Sequence, residues 1–228
     1  MRTFRLRAPA FGLLAAALMA TPSLAQTVTV GTPNTNNCLP FSCAIQLSTT
    51  RYQQVYGASA FSGLGGPAFL STVTFFDDPG TTNGLFSSSV FTIFFSTTSA
   101  AVNALSTTLG ANVGGDNALF GVFSLPGGTA GSQFTLTGTP FRYDRLVGNL
   151  LMDITWTGGS DGSPLEFLQA STQDAMSRAY DFDGGSTDGL GLITRFTFTS
   201  VTPEPATMTL LATGLVGMVA ARRRRRKA

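Results

Sequence analysis

The chain has 228 residues, of which 43% are hydrophobic and 11% are charged, and it contains no histidine. The missing imidazole excludes the Ser-His-Asp triad, the Cys-His nucleophile pair and most zinc sites. Nine of the 14 basic residues lie in the terminal segments, so residues 26–205 keep five arginines against twelve acidic residues, a net charge of −7. An acidic body of this kind is a poor ligand for nucleic acid or anionic lipid.

The first 25 residues are predicted to be a secretory signal peptide. They combine a positive start, an apolar stretch and a small-residue cleavage site, supplied in order by Arg2, Arg5 and Arg7, by residues 8–20 and by Ser23-Leu24-Ala25. This order of parts is read by signal peptidase, which we expect to cut between Ala25 and Gln26. The apolar stretch is too short for a comfortable transmembrane helix, so the segment predicts export.

Cys38 and Cys43 are the only two cysteines of the chain. Disulfides form and persist outside the cytoplasm, so we predict that these two close a small loop near the mature N-terminus. Such a short loop constrains the unfolded chain only modestly. A metal or redox site is disfavoured because there is no histidine or third cysteine to complete it.

Residues 26–200 are predicted to form one all-β domain, an antiparallel β-sandwich or jelly roll. Alternation in residues 69–76 places Phe69, Val73 and Phe75 on the core face, with threonines on the other face. Short strands with such alternation, separated by turns, are typical of two-sheet folds. Four further stretches have the length and composition of strands, namely 90–96, 132–137, 149–156 and 192–200.

The same alternation predicts inward-facing side chains in two of these stretches, Phe134 and Leu136 in one and Phe196 and Phe198 in the other. Glycine and proline supply the turns that antiparallel connections need, at residues 77–80, 114–116, 126–128, 158–159 and 184–185. Helix is expected only in short pieces, one of them near residues 101–105.

Residues 158–162 match the G-x-S-x-G nucleophile elbow. That motif needs a following helix and a histidine partner. Here Ser163-Pro164 continues a turn and the chain has no histidine. We therefore interpret this stretch as a glycine-rich loop.

Asp181, Asp183 and Asp188 lie on a glycine-rich stretch and could supply oxygen ligands to Ca²⁺. The spacing fits known calcium loops only in part, because Gly185 stands at the third acidic position of the EF-hand pattern and no glutamate closes the loop. A solvated acidic turn is the alternative. Apart from this possible calcium ion, no cofactor is predicted.

Asp153 and Glu166 flank a predicted turn, and paired carboxylates can hydrolyse glycosides when their separation is right. Nothing in the sequence positions them, so no residue is assigned to catalysis and no enzyme is predicted. Aromatic platforms for sugars could come from Trp156, Tyr52, Tyr56 or Tyr180, although each could instead belong to the core. The apolar surroundings of Trp156 favour burial.

Residues 201–228 form a tail of three parts. Pro203-Glu204-Pro205 is held extended by its prolines, residues 206–221 are uncharged, and residues 222–227 are all basic. As a helix, the uncharged part would span about 24 Å, slightly less than the ~30 Å hydrocarbon core, and it could cross with local thinning of the bilayer. The basic end would stay in the cytoplasm, which places the body outside the inner membrane.

This tail resembles the PEP-CTERM sorting signal of Gram-negative bacteria, which is recognised by the membrane transpeptidase exosortase. The resemblance implies a membrane-anchored precursor that is processed at Pro203-Glu204-Pro205, with the mature form at the cell surface or in the extracellular matrix. An ordinary C-terminal membrane anchor is the alternative. Arg51–Tyr56, residues 139–144 and residues 148–154 are also similar to segments of PEP-CTERM bodies, which implies a β-rich module without an assigned activity.

The resemblance further implies a non-enzymatic structural or adhesive protein that acts with exopolysaccharide in biofilm. Two alternatives stay open at this point. The first is a carbohydrate- or calcium-binding module on the same β-sandwich, and the second is a carboxylate-based glycoside hydrolase. Convergent aspartate oxygens or exposed coplanar aromatic rings would favour the first, and two carboxylates in one cleft would favour the second.

Overall fold

The computed structural model describes residues 25–45, 47–81, 84–128, 131–161, 167–172, 175–200, 213–215, 217 and 222. The chain falls into two compact units, Leu24–Val201 and a unit of Met1–Ser23 with Thr202–Ala228. In the latter unit, the described residues are helical and exposed. No helix among the described residues of the chain is long and apolar enough to cross a membrane. The predicted signal peptide up to residue 24, and most of the predicted membrane segment, lie outside the described residues.

Within the described part of the Leu24–Val201 unit, thirteen strands form three antiparallel sheets. In chain order they are β1 Gln26–Val30, β2 Thr35–Asn37, β3 Arg51–Tyr56, β4 Ala68–Phe76, β5 Val90–Thr98, β6 Ala118–Ser124, β7 Gln133–Tyr143, β8 Asn149–Thr157, β9 Leu168–Thr172, β10 Met176–Tyr180, β11 Ser186–Asp188, β12 Leu190–Leu192 and β13 Thr194–Ser200. The four-stranded sheet has the order β1-β13-β4-β7, the six-stranded sheet β11-β10-β3-β8-β5-β6, and the three-stranded sheet β12-β9-β2.

The two larger sheets pack face to face around an aromatic core, so the predicted all-β, sandwich-like fold is confirmed. The ring of Tyr56 on the six-stranded sheet meets that of Phe196 on the four-stranded sheet edge to face at 4.8 Å. Phe95 and Phe141 make a second contact between the sheets, with ring centroids 6.0 Å apart. Such offset and edge-to-face pairs add to the free energy gained by burying apolar surface.

The predicted strands at 90–96, 132–137, 149–156 and 192–200 correspond to β5, β7, β8 and β13. Phe196 and Phe198 are fully buried and Leu136 is buried, as the alternation predicts. Phe134 is half-buried and stacks on Phe75 at 5.1 Å. Period-two alternation therefore identified β7, β8 and β13 correctly, and β5 was identified by its nearly continuous apolar run.

Phe69 does not face the core, and that prediction is wrong. Its side chain is 37% exposed, whereas Leu70 is fully buried. The cause is a β-bulge, since Phe198 pairs with Leu70 and Thr197 pairs with Thr72, which leaves Ser71 as an extra residue. One extra residue reverses the inward and outward positions on either side of it. Val73 and Phe75 lie beyond the bulge and are buried as predicted.

The stretch near residues 101–105 is a turn, not the helix that was expected. It belongs to a crossover between β5 and β6 that covers part of the outer face of the six-stranded sheet, where Leu105 and Leu109 pack in a second apolar cluster with Val55, Leu151 and Ala179. Asn112 fixes this crossover by donating to Gln53 Oε1 (2.9 Å) and to the Ser106 carbonyl oxygen (2.9 Å). Side-chain hydrogen bonds of this kind compete with helix formation.

Candidate functional site

The described strand ends next to the two predicted processing junctions lie at one end of the four-stranded sheet. β1 begins at Gln26, directly after the predicted signal cleavage, and Gln26 pairs with Phe198 of β13. β13 ends at Ser200, which pairs with Ala68, and Ala68 pairs in turn with Tyr143 of β7. We call this end of the sandwich, marked by Gln26, Ala68, Tyr143 and Ser200, the tail pole. The motif Pro203-Glu204-Pro205 lies outside the described residues.

Asp181 is hydrogen-bonded to the beginning of β3. Its carboxylate accepts the backbone N–H groups of Thr50 (2.8 Å) and Arg51 (3.1 Å), together with the Thr50 hydroxyl. These bonds satisfy donors of the chain where it enters the six-stranded sheet. Asp181 therefore has a structural role that its sequence context did not reveal.

Asp188 is the ion-pair partner of Arg178, which lies opposite it on β10. Nε of Arg178 donates to Oδ1 at 2.8 Å, and Nη2 donates to Oδ2 at 2.9 Å. Asp183, the third predicted calcium ligand, lies in a short 3₁₀ helix with φ of 48°. The structure thus does not bring the three carboxylates together, and among the described residues no group of three acidic, cysteine or histidine side chains could hold a metal ion.

Arg178 itself is a buried charge that the sequence did not predict. Its side chain is 9% exposed, and its guanidinium lies 5.0 Å from the centroid of the Tyr180 ring. Burial lowers the pKa of Arg178, but the hydrogen bonds to Asp188 and nearby Coulombic partners outweigh it, so the pKa is raised overall. Only the register of β10 on β11 brings this pair together.

Asp153, one of the two carboxylates considered for hydrolysis, forms a two-point ion pair with Arg51. Nε donates to Oδ1 at 2.9 Å and Nη2 donates to Oδ2 at 2.5 Å. The hydrogen bond to Asp153 raises the pKa of Arg51 despite partial burial. Glu166 lies outside the described residues. An aspartate held in this way by an arginine is oriented for structure rather than for proton transfer.

The aromatic residues considered as sugar platforms are mostly core residues. Tyr52 and Tyr56 are fully buried, and Trp156 is 6% exposed and packs on Phe91. Burial raises the pKa of both buried tyrosines well above the usual 10. Tyr180 is half-buried beside Arg178. None of the four presents a flat, open ring face, so the described structure offers no aromatic platform from this set.

Cys38 and Cys43 form a disulfide, with their Cα atoms 5.4 Å apart. Cys43 is buried in the main core, and the Cys38 carbonyl accepts the Ser42 N–H at 2.9 Å within the loop. The disulfide therefore closes a small loop within the segment between β2 and β3, and the burial of Cys43 anchors that loop in the sandwich core. A free thiol is absent from the described residues.

In the G-x-S-x-G stretch, the described residues form a loop in which Gly158 and Gly159 have positive φ angles. Ser160 donates its N–H to Ser88 Oγ at 3.2 Å. A Cβ at Gly159 would lie 1.8 Å from the Ser88 carbonyl oxygen, so only glycine fits there.

An open polar cleft of about 380 Å³ lies beside the three-stranded sheet. It is lined by Asn34, Asn36, Asp78 and Gln169, with Pro33, Thr35 and Pro79 completing the wall. Asn36 donates to Asp78 Oδ2 at 2.6 Å, and Gln169 donates to the Asp77 carbonyl oxygen at 2.9 Å. This cleft was not predicted from the sequence. The polar residues between Pro33 and Asn37 could have indicated it, but only the pairing of β2 with β9 brings Gln169 into the same cleft.

Comparison with known families bears on the tail. The family model described as the PEP-CTERM protein-sorting motif matches residues 201–226. The chain carries a PEP-CTERM sorting signal. The match begins at the residue after the end of β13, so the sorting signal directly follows the last strand of the β domain. The chain is thus an exosortase-sorted surface protein. No curated protein and no solved structure matches the chain.

Proposed function

We propose that this PEP-CTERM protein is a non-enzymatic structural or adhesive component that acts with exopolysaccharide in the matrix around the cell. Signal peptidase removes residues 1–25, and exosortase processes the precursor at Pro203-Glu204-Pro205. The observation that carries the proposal is the sorting motif at 201–226, placed directly behind the last strand. Because such a signal delivers a protein to the cell surface, we infer that the β domain functions there.

The body supports a role without catalysis. Asp153, Asp181 and Asp188 are each bound by arginine side chains or backbone donors of the fold. The chain has no histidine to act as a general base near neutral pH. A β-sandwich held by a disulfide and buried ion pairs is well suited to persist outside the cell.

A second candidate function is carbohydrate binding, favoured by the polar cleft beside the three-stranded sheet. Amide groups can both donate to and accept from sugar hydroxyls, and a carboxylate accepts from them; Asn34, Asn36, Asp78 and Gln169 supply such groups in the lining of the cleft. The two prolines offer an apolar surface for a ring face. The volume of about 380 Å³ is within the range of small-ligand sites.

Processing is tested by Glu204→Ala in the native host. The expected result is a membrane-bound precursor that keeps its basic end, while the wild-type mature form ends near residue 205, as read by mass spectrometry of the C-terminal peptide. Glu166→Ala is a matched control, because Glu166 is the only other glutamate of the chain. If all the wild-type surface protein still carries residues 222–227, processing by exosortase is refuted.

Binding is tested on an array of glycans and on the host's own exopolysaccharide, with and without calcium. Asn36→Ala with Gln169→Ala should weaken binding if the cleft is the site, because both side chains line it. Asn117→Ala is the control, since Asn117 is an exposed asparagine outside the cleft. Equal binding by all variants would place the sugar contact elsewhere on the domain.

A further inference from the structure

A tight turn at the tail pole displays two large aliphatic side chains to solvent. Leu146 is 78% exposed and Val147 is 73% exposed, the two highest values among the exposed large hydrophobic residues that the structure describes. They lie in the connection between β7 and β8. Single apolar side chains scattered over a surface are normal. Two adjacent ones at the tip of a rigid turn form a small contiguous apolar patch, and such patches mark sites that contact a partner or a membrane.

The turn is held by its own hydrogen bonds. Asp144 accepts the N–H of Leu146 through its carboxylate and the N–H of Val147 through its carbonyl oxygen, both at 3.0 Å. The Tyr143 hydroxyl donates to the Gly148 carbonyl oxygen at 3.0 Å, which closes the base of the turn. The backbone therefore holds the aliphatic pair outward and prevents it from folding back onto the sandwich.

The same pole carries further groups that suit a lipid surface. Phe69, turned outward by the β-bulge, pairs with Arg142 of β7. Arg142 is exposed, and Arg145 lies in the turn with its Nε donating to the Leu64 carbonyl oxygen at 3.3 Å. Among the described residues, the ion pairs are formed by Arg51 with its aspartate on β8 and by Arg178 with its aspartate on β11. Neither pair includes Arg142 or Arg145. Within the described part of the acidic body, two of the five cations thus lie at this pole outside any ion pair.

The tail limits how far this pole can lie from the bilayer. Ser200 ends β13, and only residues 201–205 separate it from the apolar segment that begins at Ala206. A fully extended chain spans at most ~3.3–3.6 Å per residue, so the gap is at most about 20 Å. While the precursor is anchored, the end of β13 at the tail pole therefore stays within about 20 Å of the start of that segment.

We propose that the tail pole is a membrane-contact surface of the anchored precursor. Leu146, Val147 and Phe69 enter the interfacial region of the bilayer, and Arg142 and Arg145 face lipid phosphates. The proposal rests on the anchored precursor of the proposed function, and it adds the surface by which the folded body meets the membrane. Aliphatic groups beside cations are the combination by which peripheral proteins bind lipid interfaces.

The test uses the full-length chain in liposomes of phosphatidylcholine with a minor share of phosphatidylglycerol. An environment-sensitive fluorophore is attached through Leu146→Cys, and in a matched variant through Phe182→Cys. Phe182 is 41% exposed and follows Tyr180, which pairs with Tyr52 at the opposite pole. Cys38 and Cys43 do not react with the label because they form a disulfide.

We expect spin-labelled lipid to quench the probe at position 146 several-fold more than the probe at 182, with a blue-shifted emission at 146 alone. Equal, weak quenching at both positions in liposomes that float with the protein overturns the proposal and indicates a protein partner for the turn. If the chain does not float with the liposomes, it is not anchored in the membrane, and the proposal is overturned as well. Because no exosortase is present, this result is independent of the Glu204→Ala experiment.

The arginines are tested in the same system by Arg142→Gln with Arg145→Gln, read at the probe on position 146. Quenching should fall in liposomes that contain phosphatidylglycerol and change little in pure phosphatidylcholine, because only the anionic surface attracts the two arginine charges through its negative potential. A matched control is Arg195→Gln, since Arg195 lies on the four-stranded sheet and donates to Gln133 at 2.9 Å. An equal loss with the control would refute the role of the two arginines.

Discussion

The hydroxyl groups of Tyr56 and Thr194 lie 2.8 Å apart and join the two larger sheets through the core. Thr194 gives its own proton to the Leu192 carbonyl oxygen at 3.0 Å, so Tyr56 is the donor in the bond between them. Both residues are fully buried. A tyrosine in so dry a core keeps its proton to a higher pH than an exposed tyrosine, because burial raises its pKa.

The first prediction is a loss of stability in alkali. Burial raises the pKa of Tyr52 and Tyr56 above the usual 10, so the unfolded chain releases these protons first. The free energy of unfolding should be unaffected by them below about pH 10 and fall above it by about 1.4 kcal/mol per pH unit for each tyrosine. Urea unfolding at a series of pH values measures this.

Tyr56→Phe separates the two contributions. At about pH 8, the variant should lose ~1 kcal/mol, the value of one buried hydrogen bond. Above pH 10, its stability should fall with roughly two-thirds of the slope of the wild type, because Tyr52 and Tyr143, whose pKa values burial also raises, remain. Identical slopes in the two proteins would show that Tyr56 does not control the alkaline transition.

The second prediction concerns two neighbouring glycines. A Cβ at Gly114 would lie 1.8 Å from the Thr97 carbonyl oxygen, whereas a Cβ at Gly115 meets nothing within 4 Å. Gly114→Ala should therefore destabilise the protein by about 1–3 kcal/mol or more, since the backbone of β5 must move. Gly115→Ala should stay within about 0.5 kcal/mol of the wild type. Thermal unfolding of both variants decides the matter, and equal melting temperatures would contradict the close packing of the crossover on β5.

The third prediction concerns the buried arginine of β10. Asp188→Asn removes the charge that balances Arg178, and breaking a buried pair costs about 3–5 kcal/mol. We expect a destabilisation near or below the low end of this range, because the Asp188 side chain is 37% exposed and solvent screens part of its interaction with Arg178. Asp183→Asn is the matched control, since asparagine tolerates the left-handed backbone of that residue. Chemical denaturation should find the first variant clearly destabilised and the second nearly unchanged.

The fourth prediction concerns calcium. Asp181 is bonded to Thr50 and Arg51, and Asp188 to Arg178, so their oxygens are already occupied by donors of the protein. Millimolar calcium or its removal by a chelator should leave the melting temperature unchanged. A rise with calcium that Asp181→Asn abolishes would instead establish the calcium loop.

Local sequence patterns predicted much of the fold. Alternation identified β7, β8 and β13, because each has one face in the core, and a nearly continuous apolar run identified β5. It failed at Phe69, since a single extra residue at Ser71 is invisible in composition yet reverses the strand face. The turn at residues 101–105 was missed for a different reason, because Asn112 and Gln53 fix it through contacts between distant parts of the chain.

The candidate sites depended even more on pairing across long separations. Arg178 with Asp188, Arg51 with Asp153, and the cleft between Asn36 and Gln169 all require a register that no single sequence provides. The sorting signal was the opposite case. Its three parts are consecutive, so residues 201–226 could be identified from the sequence alone.

The pairing of β1 with β13 sets the timing of folding. The first strand of the exported body finds its partner in the last one, and Thr27 pairs with Thr197. Contacts between such distant parts of a chain form slowly. In a chain that is translocated unfolded, the four-stranded sheet can be completed only after β13 has crossed, so β1 would wait on the outer side of the membrane without its partner until then.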